Sequence, residues 1–165
     1  MAIASVLTDT FKEELLGGYH SFNASGDTPA GSAFKIALYS SGSANLGTTT
    51  TAYAAPADAT ADPTSTYEVT TTSSGYTGGG NALTNTGVAK STVTSYTDFS
   101  DTSWTSASFT ARGCLIYNSS TISGLTTNAS VCAIDFGGDK TVSSGTFTIQ
   151  FPTNDSSSAI IRITS

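Results

Sequence analysis

Phe34, Ile36 and Leu38 share one face of a segment whose other face carries Lys35, Ala37 and Tyr39. Apolar residues that recur with a period of two mark a β-strand, because successive side chains point to opposite sides of a pleated backbone. The alternation returns at Phe147, Ile149 and Phe151, until Pro152, Asn154 and Asp155 break it. Between these two segments lies the densest run of β-formers, Trp104 to Asn118, then a polar Ser/Thr/Gly connection, then Val131 to Phe136. Strand-forming flanks around turn chemistry predict consecutive strands of a core sheet. Tyr67 to Thr70, Asn81 to Lys90, Ser91 to Phe99 and Ser158 to Ile163 are further short extended segments. The last is so apolar that it is expected inside a sheet rather than on a bare edge. Gly137-Gly138-Asp139-Lys140 has the form of a tight turn, and Gly75 to Gly80 that of a turn or bulge. The count predicts an all-β fold, a jelly-roll-like or Ig-like β-sandwich of about eight short strands with a short N-terminal helix or arm.

The helix is expected within residues 1–18. Leu7, Phe11 and Leu15 fall four apart, Thr10 with Glu13 has capping-box form, and Gly17-Gly18 ends the pattern. Two turns are too short to stand alone, so the apolar stripe must dock on its own sheet or on a neighbouring subunit. Residues 19–165 then form one sandwich domain, with a long Ser/Gly/Ala/Thr-rich loop near residues 40–66 that is either a contact arm or a flexible excursion.

Composition narrows the function. Charged residues are 11% of the 165-residue chain, while Ser and Thr make up about a third of it, so the surface is hydroxyl-rich rather than salt-bridged. Six scattered Lys and Arg against a net charge of -6 leave no basic footprint for nucleic acid. No run is long and apolar enough for a membrane helix and no signal peptide is read at the N-terminus, so a soluble cytosolic product is expected. Cys114 and Cys132 lie in neighbouring predicted strands, where a disulfide between them is geometrically conceivable and spacing does not decide it; two small buried thiols are the expectation.

Chemistry is thin. His20 is the single histidine, beside aromatic residues, and is expected to be structural. A glycosidase pair would have to come from Asp98, Asp101, Asp135 and Glu68, of which Asp98 and Asp101 sit at a bend. The glycines at 78–80 lack the Gly-Lys-Ser/Thr element of a phosphate loop, and no zinc or calcium signature is present, so no cofactor is expected.

Phe34 to Tyr39, Leu83-Thr84-Asn85 with Gly87-Val88, Thr110 to Gly113 through Ile116-Tyr117-Asn118, Ile134 to Gly137, Phe147 to Pro152 and Ala159 to Arg162 together resemble a family of small tailed-bacteriophage virion proteins. Phe11 to Gly17 is similar to the opening of that family. The resemblance implies a non-enzymatic structural role: a capsid cement (decoration) protein, made in the host cytoplasm and placed on the capsid exterior. There it would brace neighbouring capsomers as a trimer, with itself and the major capsid protein as partners. Subunit or capsid contacts are then expected at Leu7, Phe11, Leu15, Leu16, Tyr19, Phe22, Tyr53 and Arg112, the last as a strand-end or intersubunit ion pair. The alternatives are a tail, baseplate or fibre-associated protein, or a carbohydrate-binding module stacking sugars on Tyr53, Tyr67, Tyr76 and Trp104.

Overall fold

In chain order the elements are β1 (Val6–Leu7), α1 (Asp9–Leu16), β2 (Phe34–Tyr39), β3 (Asn81–Leu83), β4 (Asn85–Ser91), β5 (Thr94–Phe99), β6 (Thr102–Asn118), β7 (Ser130–Ile149) and β8 (Ile161–Ile163). The computed structural model describes residues 3–40, 46–54, 67–69 and 75–165. One antiparallel sheet has the order β1-β7-β6-β2-β3, the other β4-β5-β8. The fold is an all-β sandwich with a short N-terminal helix, as the alternation predicts. Two strands are not short, however: β6 runs for 17 residues and β7 for 20.

Phe34, Ile36 and Leu38 enter the core between the sheets, with Phe99, Trp104, Ile116 and Ile161. Phe34 stacks on Phe22 at 4.6 Å between ring centroids and meets Phe99 edge-on at 5.4 Å. Such pairs contribute about 0.5–1.5 kcal/mol beyond the area they bury. The opposite face of β2 is buried too. Ala37 and Tyr39 pack with Ile3, Leu46, Tyr53, Leu115 and Tyr117 in a second cluster, because residues 46–54 lie over that face while 67–69 pair along the edge of β2. The Tyr53 amide donates to the Asn128 carbonyl at 2.9 Å and the Val69 amide to the Leu38 carbonyl at 2.8 Å. Of the expected long loop near residues 40–66, positions 41–45 and 55–66 lie outside the described residues; Leu46 to Ala54 is a packed cover rather than an excursion.

The N-terminal segment is no detached arm. Val6 and Leu7 pair with Ala133 and Cys132, and the Thr8 hydroxyl lies 3.2 Å and 3.3 Å from the Ser130 and Val131 carbonyls. Thr8 is the N-cap residue of α1, but its hydroxyl is turned to β7 and caps nothing. The expected Thr10–Glu13 box does not form either, since Thr10 already lies inside the first turn. Gly17 ends the helix as predicted.

Three boundaries differ from expectation. Gly137 to Asp139 do not turn the chain. They form a bulge inside β7, where Ala111 faces Lys140 and Gly113 faces Asp135, and Gly137 supplies a φ of 72°. The segment 81–90 is two strands, because the chain changes sheet at Thr84. The last strand, β8, lies at the edge of the smaller sheet and leaves Ile163 59% exposed. On the polar face of the β6–β7 ribbon, hydroxyl pairs join the strands at 2.8 Å, Ser103 with Thr148 and Thr110 with Thr141.

Cys114 and Cys132 are free, buried thiols, opposite Ile134 and Ile116 respectively and not opposite each other. Burial raises both thiol pKa values, that of Cys132 to about 12, so neither presents a thiolate near neutral pH.

Candidate functional site

The most unusual chemistry lies on the outer face of β2. Residues 67–69 run beside its C-terminal end, with Glu68 bridged to Tyr39, and this places the Glu68 carboxylate beneath the 46–54 cover. It is 5% exposed and accepts three hydrogen bonds, from the Tyr76 hydroxyl at 2.7 Å, the Gly79 amide at 2.7 Å and the Tyr53 hydroxyl at 3.0 Å. The Tyr76 hydroxyl accepts in turn from the Leu38 amide at 3.0 Å, and the Tyr117 hydroxyl donates to the Gly79 carbonyl at 2.8 Å. Tyr53 stacks on Tyr117 with centroids 4.5 Å apart. Tyr39 completes the cluster with a buried hydroxyl that has no hydrogen-bond partner among the described residues.

Burial raises the Glu68 pKa above the usual carboxylate range, with the three donors and the Lys35 charge opposing. The phenols of Tyr39, Tyr53, Tyr76 and Tyr117 are all pushed upward, by burial first and the Glu68 charge second. They therefore stay protonated donors. Four neutral phenols around one saturated carboxylate form a rigid polar network, with no activated nucleophile beside a base.

His20, Asp98, Asp101 and Arg112 are likewise engaged inside the fold. His20 is buried between Glu14, 2.9 Å from Nε2, and Asn118, 3.0 Å from Nδ1, with the Phe11 ring edge-on at 5.0 Å. The Asn118 amide donates to Nδ1, so Nε2 carries the proton toward Glu14. Burial lowers the His20 pKa against the pull of Glu14. Asp98 accepts from the Phe99 and Ile160 amides, and Asp101 from the Phe151 amide. Arg112 is mid-strand and pairs within the chain, 3.0 Å from Asp135 and 3.8 Å from Asp139 across the bulge. This corrects the strand-end position expected of it. The four carboxylates considered for a glycosidase pair thus have separate structural partners. Among the described residues no group of three or more His, Cys, Asp or Glu side chains could hold a metal ion.

No family model, curated protein or solved structure matches the chain.

The other expected contact residues divide into three groups. Phe11, Phe22 and Tyr53 are 0%, 5% and 7% exposed and belong to this chain's own core. The apolar pattern that singled them out reads the same whether the packing partner is the chain's own sheet or a neighbour. Leu7 and Leu15 pack partly against the core, and Tyr19 is half-buried over Gly17 and Gly124. Leu16 alone of the set projects freely, 92% exposed at the end of α1. The aromatic platform for sugars is not formed, because Tyr53, Tyr76 and Trp104 are buried. The tyrosine–carboxylate cluster itself escaped sequence reading. Its members come from positions 39, 53, 68, 76 and 117 with no common spacing.

Proposed function

We propose that this protein is a non-enzymatic structural component of a tailed-phage virion, a capsid cement protein acting as a trimer on the shell exterior. The observation that carries this reading is where its buried chemistry is spent. Glu68, His20 and Asp98 each have their hydrogen-bonding groups engaged by partners inside the chain, and Glu68 and His20 tie the segments around residues 53, 76 and 14 to the sheet. Rigidity of that kind suits a brace. The segments similar to small virion proteins supply the assignment to a phage particle. The hydroxyl-rich surface, with few charges, is compatible with contacts that hold as salt varies.

Immunogold labelling of intact virions is the direct test. Label over the head supports the cement role; label confined to the tail replaces it with a tail component, and absence of label from virions overturns both. The subunit contact has its own test. Leu16→Asp is expected to convert the purified trimer to monomer in analytical ultracentrifugation, with folded-state stability changed by only about 0.5 kcal/mol, since Leu16 touches little of its own fold. An unchanged trimer removes the end of α1 from the interface.

A further inference from the structure

The two parts of β7 on either side of the bulge at Gly137 line, with β1, residues 150–152 and Ile160, an apolar cleft of about 810 Å³. Ile134, Phe136, Phe147 and Ile149 contribute to its walls, and Lys140 is the one charged residue of its lining. A cleft beneath a strand's face would be lined by every second residue. This one is lined by the consecutive residues Phe147, Thr148 and Ile149 at the end of β7 and by Gln150 to Pro152 just beyond it, so at that end it opens onto the edge of β7.

That edge is open. β6 pairs with one side of β7 almost throughout, while on the other side β1 pairs only with Cys132 and Ala133. The Thr8 amide also donates to the Val131 carbonyl and the Asp135 amide to the Ser5 hydroxyl, and beyond these no further ladder covers this side among the described residues. From Lys140 to Ile149, at most about 30 Å at ordinary strand rise, the amides and carbonyls that do not pair with β6 face away from it, and a bulge between Val142 and Gly145 interrupts their alternation.

We propose that this edge and cleft together are a strand-accepting groove for an extended segment of another protein. The segment's backbone would continue the sheet from β7, its apolar side chains at alternate positions would fill the cleft, and a carboxylate side chain would pair with Lys140. Lys140 has no ion-pair partner among the described residues, and it selects an acidic segment. In a second copy, the outer strands β4 and β8 carry Lys90 and Arg162 and would set cation against cation, so neither fits this edge. The inference stands on the edge and the cleft and goes beyond the virion assignment; failure of either leaves the other standing.

The test uses the full chain and two sets of peptides of about nine residues, the reach of the open edge. Both contain valine, threonine and one glutamate in equal amounts; one set alternates valine with threonine, the other groups the valines in a block. Titration calorimetry is expected to show roughly tenfold tighter binding of the alternating set, with slowed amide exchange between Lys140 and Ile149. Lys140→Glu is expected to transfer the preference to peptides carrying lysine in place of glutamate. Equal affinity for both sets, binding without protection of β7 amides, or displacement of the peptide by palmitate overturns the proposal. So does concentration-dependent protection of the same amides in the protein alone, which would assign the groove to a second copy.

Discussion

Glu68→Ala is expected to destabilise the protein by about 3 kcal/mol or more, because the Tyr53 and Tyr76 hydroxyls and the Gly79 amide lose their acceptor together inside the fold. For a chain of this size that corresponds to a drop of roughly 10 °C in melting temperature. Glu68→Gln keeps the shape and an acceptor oxygen, and at neutral pH it is expected to cost less than about 1 kcal/mol. Equal losses from the two variants in calorimetric melts would show that the acceptor is not what matters.

The pair also carries a pH signature. Burial raises the Glu68 pKa in the folded chain, so the folded state binds the proton more tightly than the unfolded one. The Glu68 contribution to stability therefore grows as pH falls through the raised value, and is complete below the unfolded value of about 4.3. Asp98, also raised chiefly by burial, acts in the same direction. Asp135 and Asp155, lowered first by the Gly137 amide and by the Ser157 hydroxyl respectively, act in the opposite sense and lose their contribution on acidification. Those three groups are common to wild type and variant. The stability of Glu68→Gln relative to wild type is thus expected to decline as pH is lowered from about 7 to about 4. A difference that stays constant over that window would mean that Glu68 does not titrate there.

Gly80→Ala is the second large effect. A methyl group at position 80 would lie 1.8 Å from the Ile36 carbonyl oxygen and 2.9 Å from the Ala37 Cα, both backbone of the central strand β2, and the residue holds a φ of +67°. No side-chain rotation relieves a clash with backbone, so the β2–β3 pairing must shift. Destabilisation of about 4 kcal/mol or loss of soluble folded protein is expected. Gly18→Ala separates the two causes. That glycine has a φ of +77° with nothing within 4 Å of the added carbon, so only the backbone strain remains, about 1 kcal/mol. Comparable losses at both positions in chemical denaturation would overturn the steric account.

These residues also mark how far the sequence carries. The alternation of Phe34, Ile36 and Leu38 declares an inward face without help from the rest of the chain, and it is correct. That Ala37 and Tyr39 on the other face are buried as well depends on residues 46–54 returning to cover them, which no local period announces. Gly137-Gly138 reads as a turn because turns and bulges ask for the same freedom of φ. Only the partner across the ladder distinguishes them, and Lys140 faces Ala111 in a continuing strand. Phe11 and Phe22 follow the same logic, since an apolar stripe states that it will be covered but not by which chain. For the tyrosine cluster no pattern exists to be read. Five residues converge through long-range pairing, and a lone Glu in an extended segment gives no sign that four phenols will surround it.

The seam between β1 and β7 also governs the order in which the molecule can be made. Val6 and Leu7 find their partners in Ala133 and Cys132, and Thr8 meets Ser130 across a separation of 122 residues. On the ribosome the first strand emerges long before the strand that receives it, so it must wait unpaired while most of the domain is synthesised. Closing so long a loop comes late and slowly compared with local hairpins such as β4–β5. A nascent chain stopped before Ser130 has no seat for its N-terminus, whereas one released after Ile149 can close the seam; the domain's completion is tied to the synthesis of its last long strand.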